Sequence, residues 1–153
     1  MPKLKAGDLA PNFSLPADTG SDISLKELKG RQVVLYFYPK DDTPGCTKQA
    51  CEYRDLAGQF DRKNTVVLGI SRDEITSHRD FKKKYNLNFP LLADADHKVH
   101  ELYGAWGEKT SYGKTSVGAI RSTVVIDENG KVTSLEIGVK PEGDAQKRLD
   151  LIR

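Results

Sequence analysis

The chain of 153 residues has no apolar run approaching the roughly 20 residues that a membrane-spanning helix needs. Its charge has no bias: 24 lysines and arginines stand against 22 aspartates and glutamates, a net +2. That balance gives no electrostatic reason to expect a nucleic acid or a membrane surface as partner. The segment Met1-Pro2-Lys3-Leu4-Lys5 lacks the apolar stretch of a signal peptide. Repeats, low-complexity tracts and an evident linker are missing too, so a single domain over residues 1–153 is expected. Histidine is scarce, with three copies, and cysteine scarcer, with two. Two thiols and three distant histidines are a poor basis for a closed four-ligand zinc site. His97 and His100 are expected to be a solvated pair rather than a two-nitrogen metal face. Lys82-Lys83-Lys84 reads as a solvated helix face. One potential disulfide and no signal segment fit a reducing, cytoplasmic compartment, where cysteine pairs are more often catalytic than structural.

The two cysteines that are present stand five residues apart in Thr43-Pro44-Gly45-Cys46-Thr47-Lys48-Gln49-Ala50-Cys51, directly after an apolar run ending Tyr36-Phe37-Tyr38-Pro39. This reads as strand, loop and helix start. Thr43 is a good N-cap, and Pro44 suits the first helical position, where no amide donor is needed. Cys46 then falls among the unpaired N–H groups at the positive end of the helix dipole, where a thiolate is stabilised. Gly45 is expected to leave open space for a small substrate. The competing reading, an inert buried thiol, fits poorly with a surrounding run of Asp, Thr, Pro and Gly. On an intact helix, residues five apart rise about 7.5 Å and place their Cα atoms roughly 8–9 Å from each other. A disulfide needs less than about 7 Å, so Cys46 and Cys51 can bond only if the helix start unwinds.

Strand and helix patterns alternate along the chain. Residues 32–38 and 65–70 are β-branched or aromatic runs and read as buried strands. A helix is expected from Pro44 to about Arg62. Ser71-Arg72-Asp73-Glu74 has the capping-box pattern and predicts a helix to about Tyr85, and Ser24-Leu25-Lys26-Glu27 repeats it before a short helix stopping at Gly30. Residues 121–127 and 131–139 read as strands joined by a hairpin at Asn129-Gly130. A last helix is expected over residues 142–152, and a long surface loop between Gly104 and Gly118. The order predicts an α/β fold, a central mixed β-sheet flanked by helices on both faces.

Pro39-Lys40-Asp41-Asp42-Thr43-Pro44-Gly45-Cys46 resembles the peroxiredoxin signature, and the second cysteine five residues on resembles its peroxiredoxin Q, or bacterioferritin comigratory protein, branch. Ala10-Pro11-Asn12-Phe13, Trp106-Gly107-Glu108-Lys109, Tyr112-Gly113-Lys114 and Arg121-Ser122-Thr123 match the same branch. The resemblance implies a thioredoxin-like fold and a cofactor-free, monomeric thiol peroxidase acting on hydrogen peroxide and organic hydroperoxides. By position it makes Cys46 the peroxidatic nucleophile and Cys51 the resolving cysteine. Thr43 would bind peroxide through its hydroxyl, Pro39 would shield the site from water, and Arg121 would bring positive charge to the thiolate. Read without the resemblance, Thr43 is equally a plain N-cap and Arg121 a surface ion pair. Gln49 stands where many members carry Glu, so no carboxylate role transfers there. Thioredoxin or a similar dithiol is the implied reductant. A redox relay passing its disulfide to one partner, and a chaperone-like module with vestigial thiol chemistry, are the alternatives from other functional classes. Trp106 and Tyr112 read as loop packing.

Overall fold

The structure is a computed structural model that describes residues 3–111 and 113–152. In chain order come β1 (Ser14–Leu15), β2 (Ile23–Ser24), a 3-10 turn (Leu25–Leu28), β3 (Gln32–Phe37) and α1 (Pro44–Arg62). They are followed by β4 (Thr65–Ser71), α2 (Ile75–Tyr85), β5 (Leu91–Ala93) and α3 (Lys98–Leu102). The last elements are β6 (Trp106–Ser111), β7 (Lys114–Ala119), β8 (Ser122–Ile126), β9 (Val132–Ile137) and α4 (Asp144–Leu151). Five strands form the central sheet in the order β5-β4-β3-β8-β9. β3 runs parallel to β4 and β4 to β5, while β8 is antiparallel to both β3 and β9.

β3 is apolar at almost every position because the sheet is buried on both faces, as expected for a strand at its centre. Its side chains alternate between two cores. Val33, Leu35 and Phe37 join Leu68, Ile70, Val124, Val99 and Tyr103 on the face that α3 covers. Val34, Tyr36 and Tyr38 join Ala50, Tyr53 and Phe60 of α1, Phe81 of α2 and Leu149 of α4 on the other. The expected mixed sheet with helices on both faces is therefore present. The β8–β9 hairpin closes as predicted: Gly130 takes φ +83°, and the Asp127 carboxylate accepts from the Asn129 and Lys131 amides. Among the described residues, no helix is long and apolar enough to cross a membrane.

Three local expectations fail for physical reasons. The region 104–118 is not a long loop but the β6–β7 hairpin, in register from Trp106↔Ala119 to Ser111↔Lys114. Glu108, Lys109, Thr110, Thr115 and Ser116 are all exposed, so the hairpin buries neither face there and shows no apolar alternation. Ser71 does not cap α2. It ends β4, and its hydroxyl and the Asp73 carboxylate close a tight turn, leaving Glu74 as an N-cap that makes no side-chain bond. Ser24 likewise precedes the 3-10 turn without a side-chain cap bond.

Candidate active site

β3 delivers its chain to the C-terminal edge of the sheet, where residues 38–43 turn into α1. Two contacts pin this turn to α2. On the outside, the Asp42 carboxylate accepts from Lys84 Nζ (2.8 Å) and the Tyr85 hydroxyl (2.7 Å). Inside, the buried Asp41 carboxylate accepts from the Tyr38 hydroxyl (2.5 Å), the Ser77 hydroxyl (2.8 Å) and His78 Nδ1 (2.7 Å). His78 Nε2 lies 2.9 Å from the Leu92 carbonyl oxygen, which can only accept. Both ring nitrogens therefore donate, and His78 is an imidazolium. Burial alone would lower its pKa, but the hydrogen bond and charge of Asp41 outweigh burial and hold it above the ordinary value. Asp41, Asp73 and His78 place oxygen and nitrogen atoms within 4.8 Å of one another. These atoms are already engaged in hydrogen bonds, so the cluster is an anchor for the turn rather than a metal centre.

Thr43 is the N-cap of α1 and Pro44 its first residue, which makes Cys46 the third, as the sequence predicts. The Thr43 hydroxyl does not cap the helix. It donates to the Lys40 carbonyl oxygen at 2.8 Å, so its proton is committed there and only its lone pairs remain to accept. The first-turn N–H groups are thus left uncapped by Thr43, at the positive end of the dipole. Arg121 leaves the strand edge just before β8, its carbonyl held by the Gly138 and Val139 amides at 2.9 and 2.8 Å. Its Nη2 donates to Cys46 Sγ at 3.5 Å, and its Nη1 donates to Gln49 Oε1 at 2.6 Å. Residues 75 apart in sequence are so brought into contact at the sulfur. Pro39 lies exposed at the start of the turn.

The space beside the sulfur is not open. A Cβ built on Gly45 would lie 3.2 Å from Arg121 Nη2 and 3.4 Å from Pro141 Cγ. Gly45 matters because it lets the guanidinium close over the helix start, and Cys46 is only 1 % exposed. Cys51 is half-buried on the same unbroken helix, and both thiols are free. The histidine expectation is also corrected. His100 is fully buried, with Nδ1 2.6 Å from Asp94 Oδ2, and His97 stacks on Trp106 with ring centroids 3.9 Å apart. His100 meets the same Trp106 edge-on, with centroids 6.1 Å apart, so the two rings are packed around one indole rather than being a solvated pair. Tyr112 lies outside the described residues. Asp41, His78 and Gln49 were not among the residues the sequence singles out for the site; their partners are 37 and 72 positions away, and no local pattern marks them.

A helix-start thiol beneath a guanidinium, on a thioredoxin-like sheet, is the architecture of a peroxiredoxin. Solved structures share the fold. Peroxiredoxin Q from Xanthomonas campestris superposes with a TM-score of 0.88 at 34 % identity, covering 97 % of this chain and 94 % of that one. PrxQ from Xylella fastidiosa gives 0.91 at 32 %, covering 99 % and 96 %. The chain belongs to the AhpC/TSA family, whose model matches residues 6–135. It is 48 % identical over 132 residues to the peroxiredoxin Bcp of Escherichia coli K12, covering 86 % of this chain and 85 % of that protein. It is 49 % identical over 140 residues to a putative peroxiredoxin bcp of Coxiella burnetii, covering 92 % and 93 %. The chain is a thiol peroxidase.

Proposed function

We propose that Cys46 is the peroxidatic thiol, that Cys51 resolves it, and that thioredoxin or a similar dithiol restores both. The observation that carries this reading is the Arg121 guanidinium 3.5 Å from a sulfur in the first turn of a helix. The Cys46 thiolate attacks one oxygen of the peroxide. An S–O bond forms as the O–O bond breaks, and the departing alkoxide or hydroxide takes up a proton and leaves as alcohol or water. Sulfur is oxidised to a sulfenic acid and the peroxide is reduced. Arg121 and the helix N–H groups stabilise the negative charge on sulfur and on the leaving oxygen, a preorganised electrostatic effect. The Thr43 hydroxyl, already donating to Lys40, accepts the peroxide's own O–H and so orients it.

The Cys51 thiol then attacks the sulfenic sulfur, an S–S bond forms and water leaves. Both cysteines lie on the intact α1, so this step requires its first turns to unwind. Unwinding breaks the contacts that bind α1 to the chain before and at the start of α4: Lys48 with Glu142, Gln49 and Tyr53 with Asp144, and Glu52 with the Gly143 amide. The oxidised segment is then exposed to a dithiol reductant in a reducing, cytoplasmic setting.

The test is a peroxidase assay with thioredoxin, thioredoxin reductase and NADPH on the wild type, Cys46→Ser and Cys51→Ser. Cys46→Ser abolishes peroxide reduction, because a serine hydroxyl is hardly ionised near neutral pH. Cys51→Ser reacts once, stops at a sulfenic acid and loses turnover. Equal loss of the first oxidation step in both variants would overturn the assignment.

A further inference from the structure

Behind Arg121 lies a buried polar network that the chemistry above does not use. Its hub is Asp144, the first residue of α4, 3 % exposed. Asp144 Oδ2 accepts three hydrogen bonds, from Gln49 Nε2 (3.0 Å), the Tyr53 hydroxyl (2.8 Å) and Thr123 Oγ1 (2.7 Å). Oδ1 accepts from Arg148 Nε at 2.9 Å. Arg148 is itself 1 % exposed, and its Nη2 continues to Glu136 Oε1 (2.6 Å), which also accepts from Lys147 Nζ (2.8 Å).

The Gln49 side chain joins this hub to the site. Its amide has one donating end and one accepting end, and nothing in its shape chooses between them. Asp144 chooses. A carboxylate can only accept, so the Gln49 NH2 must face Asp144, and the carbonyl oxygen must face the other way. There it meets Arg121 Nη1 at 2.6 Å, which aims the other nitrogen of the guanidinium at Cys46 Sγ. We propose that Asp144 is a positioning residue for the thiol chemistry: through the Gln49 amide it fixes the Arg121 guanidinium against the Cys46 sulfur. This rests on the roles proposed above for Cys46 and Arg121.

Charge supports the same assignment. From the surface inward the series runs Lys147, Glu136, Arg148, Asp144, Arg121 and Cys46, alternating in sign when Cys46 is a thiolate. Arg148 pairs with Asp144 through Oδ1, so the carboxylate has a cation of its own and does not draw on Arg121. Gln49, being neutral, transmits orientation without neutralising the guanidinium. A glutamate at that position would set two carboxylates against each other at hydrogen-bond distance.

The experiment uses Cys51→Ser protein, so that only Cys46 reports. Thiolate absorbance at 240 nm is followed against pH, and single-turnover oxidation by hydrogen peroxide is timed. Asp144→Asn, which can present its NH2 to Gln49, and Gln49→Leu, which removes the amide, are expected to move the thiolate titration up by roughly one pH unit. Oxidation is expected to slow by about 10- to 100-fold, since a misplacement of about 1 Å carries penalties of that size. Thr123→Val, which removes another donor to the same carboxylate oxygen, lowers the melting temperature and leaves the titration in place. In an Arg121→Ala background Asp144→Asn adds no further slowing, because the two act in series. A wild-type titration and rate in folded Asp144→Asn, or additive losses in the double variant, overturn the proposal. If Asp144→Asn does not fold, Gln49→Leu decides by the same two readings. A wild-type Cys46 that peroxide does not oxidise would instead remove the role proposed for that cysteine.

Discussion

Two buried carboxylates flank the start of α1, and each is held in a different way. Asp41 stands before the helix and takes its charge balance from His78, a residue whose charge can be lost near neutral pH. Asp144 stands beneath the helix and takes its balance from Arg148, whose charge is permanent. The first holds a turn of backbone; the second holds side chains that converge on the sulfur. The group that needs its geometry at every pH is thus tied to the partner that does not titrate.

The largest effect expected from this contrast comes from breaking the permanent pair. Arg148→Leu leaves Asp144 buried without a counter-charge and lowers stability by about 3–5 kcal/mol, read by urea unfolding. The loss is the same at pH 6 and pH 9; a loss confined to one of them would break the comparison. Next in size is the response to oxidation. Unwinding the first turns of α1 releases Gln49 and Tyr53 from Asp144 but leaves Asp41 on His78. Amide exchange in oxidised protein therefore rises over about residues 43–54, with each opened backbone bond worth about 1 kcal/mol net, while β3 and β4 stay protected. A regular helix retained through both cysteines after oxidation would point to a disulfide between chains.

A smaller effect follows from pH. His78 has its pKa raised in the folded state by Asp41, so its contribution is complete below the unfolded value of about 6.5. That contribution is lost as pH rises through the folded-state pKa. The urea midpoint should fall across this alkaline limb and flatten in His78→Gln; a midpoint that rises there would show the imidazolium assignment to be wrong. The smallest effect is expected at Gly45. A methyl group there must displace Arg121 Nη2 by a few tenths of an ångström, so Gly45→Ala slows peroxide oxidation only by about two- to tenfold.

Cys46, Thr43 and Pro44 were legible because helix starts have a local grammar, and the backbone follows it down to the position of the thiol in the first turn, although the Thr43 hydroxyl bonds Lys40 instead of capping the helix. Arg121 was legible only through family resemblance, since its contact with the sulfur spans 75 residues. The alternating cores of β3 followed from its unbroken apolar run. What sequence pattern missed is polar and buried. Asp144 and Arg148, four apart on α4, carry no motif in the sequence, yet both side chains are nearly sealed. His100 looked solvated beside His97, and only the tertiary fold puts it against Asp94. The β6–β7 hairpin escaped because pairing without burial leaves no apolar period to read.

In the proposed cycle, the placement of both cysteines on one continuous helix would set the energetics of the return to the dithiol. A disulfide that exists only while turns of α1 are undone carries the helix's tendency to re-form as a bias toward the dithiol. In electrochemical terms this raises the reduction potential of the pair, by about 30 mV for every 1.4 kcal/mol of lost helix. A refolding free energy of about 3 kcal/mol would thus lift it by roughly 60 mV, enough to favour electron flow from a thioredoxin-like donor about a hundredfold. In the proposed cycle, the helix that presents the thiol to peroxide would act, once unwound, as a spring that draws the reductant's electrons in.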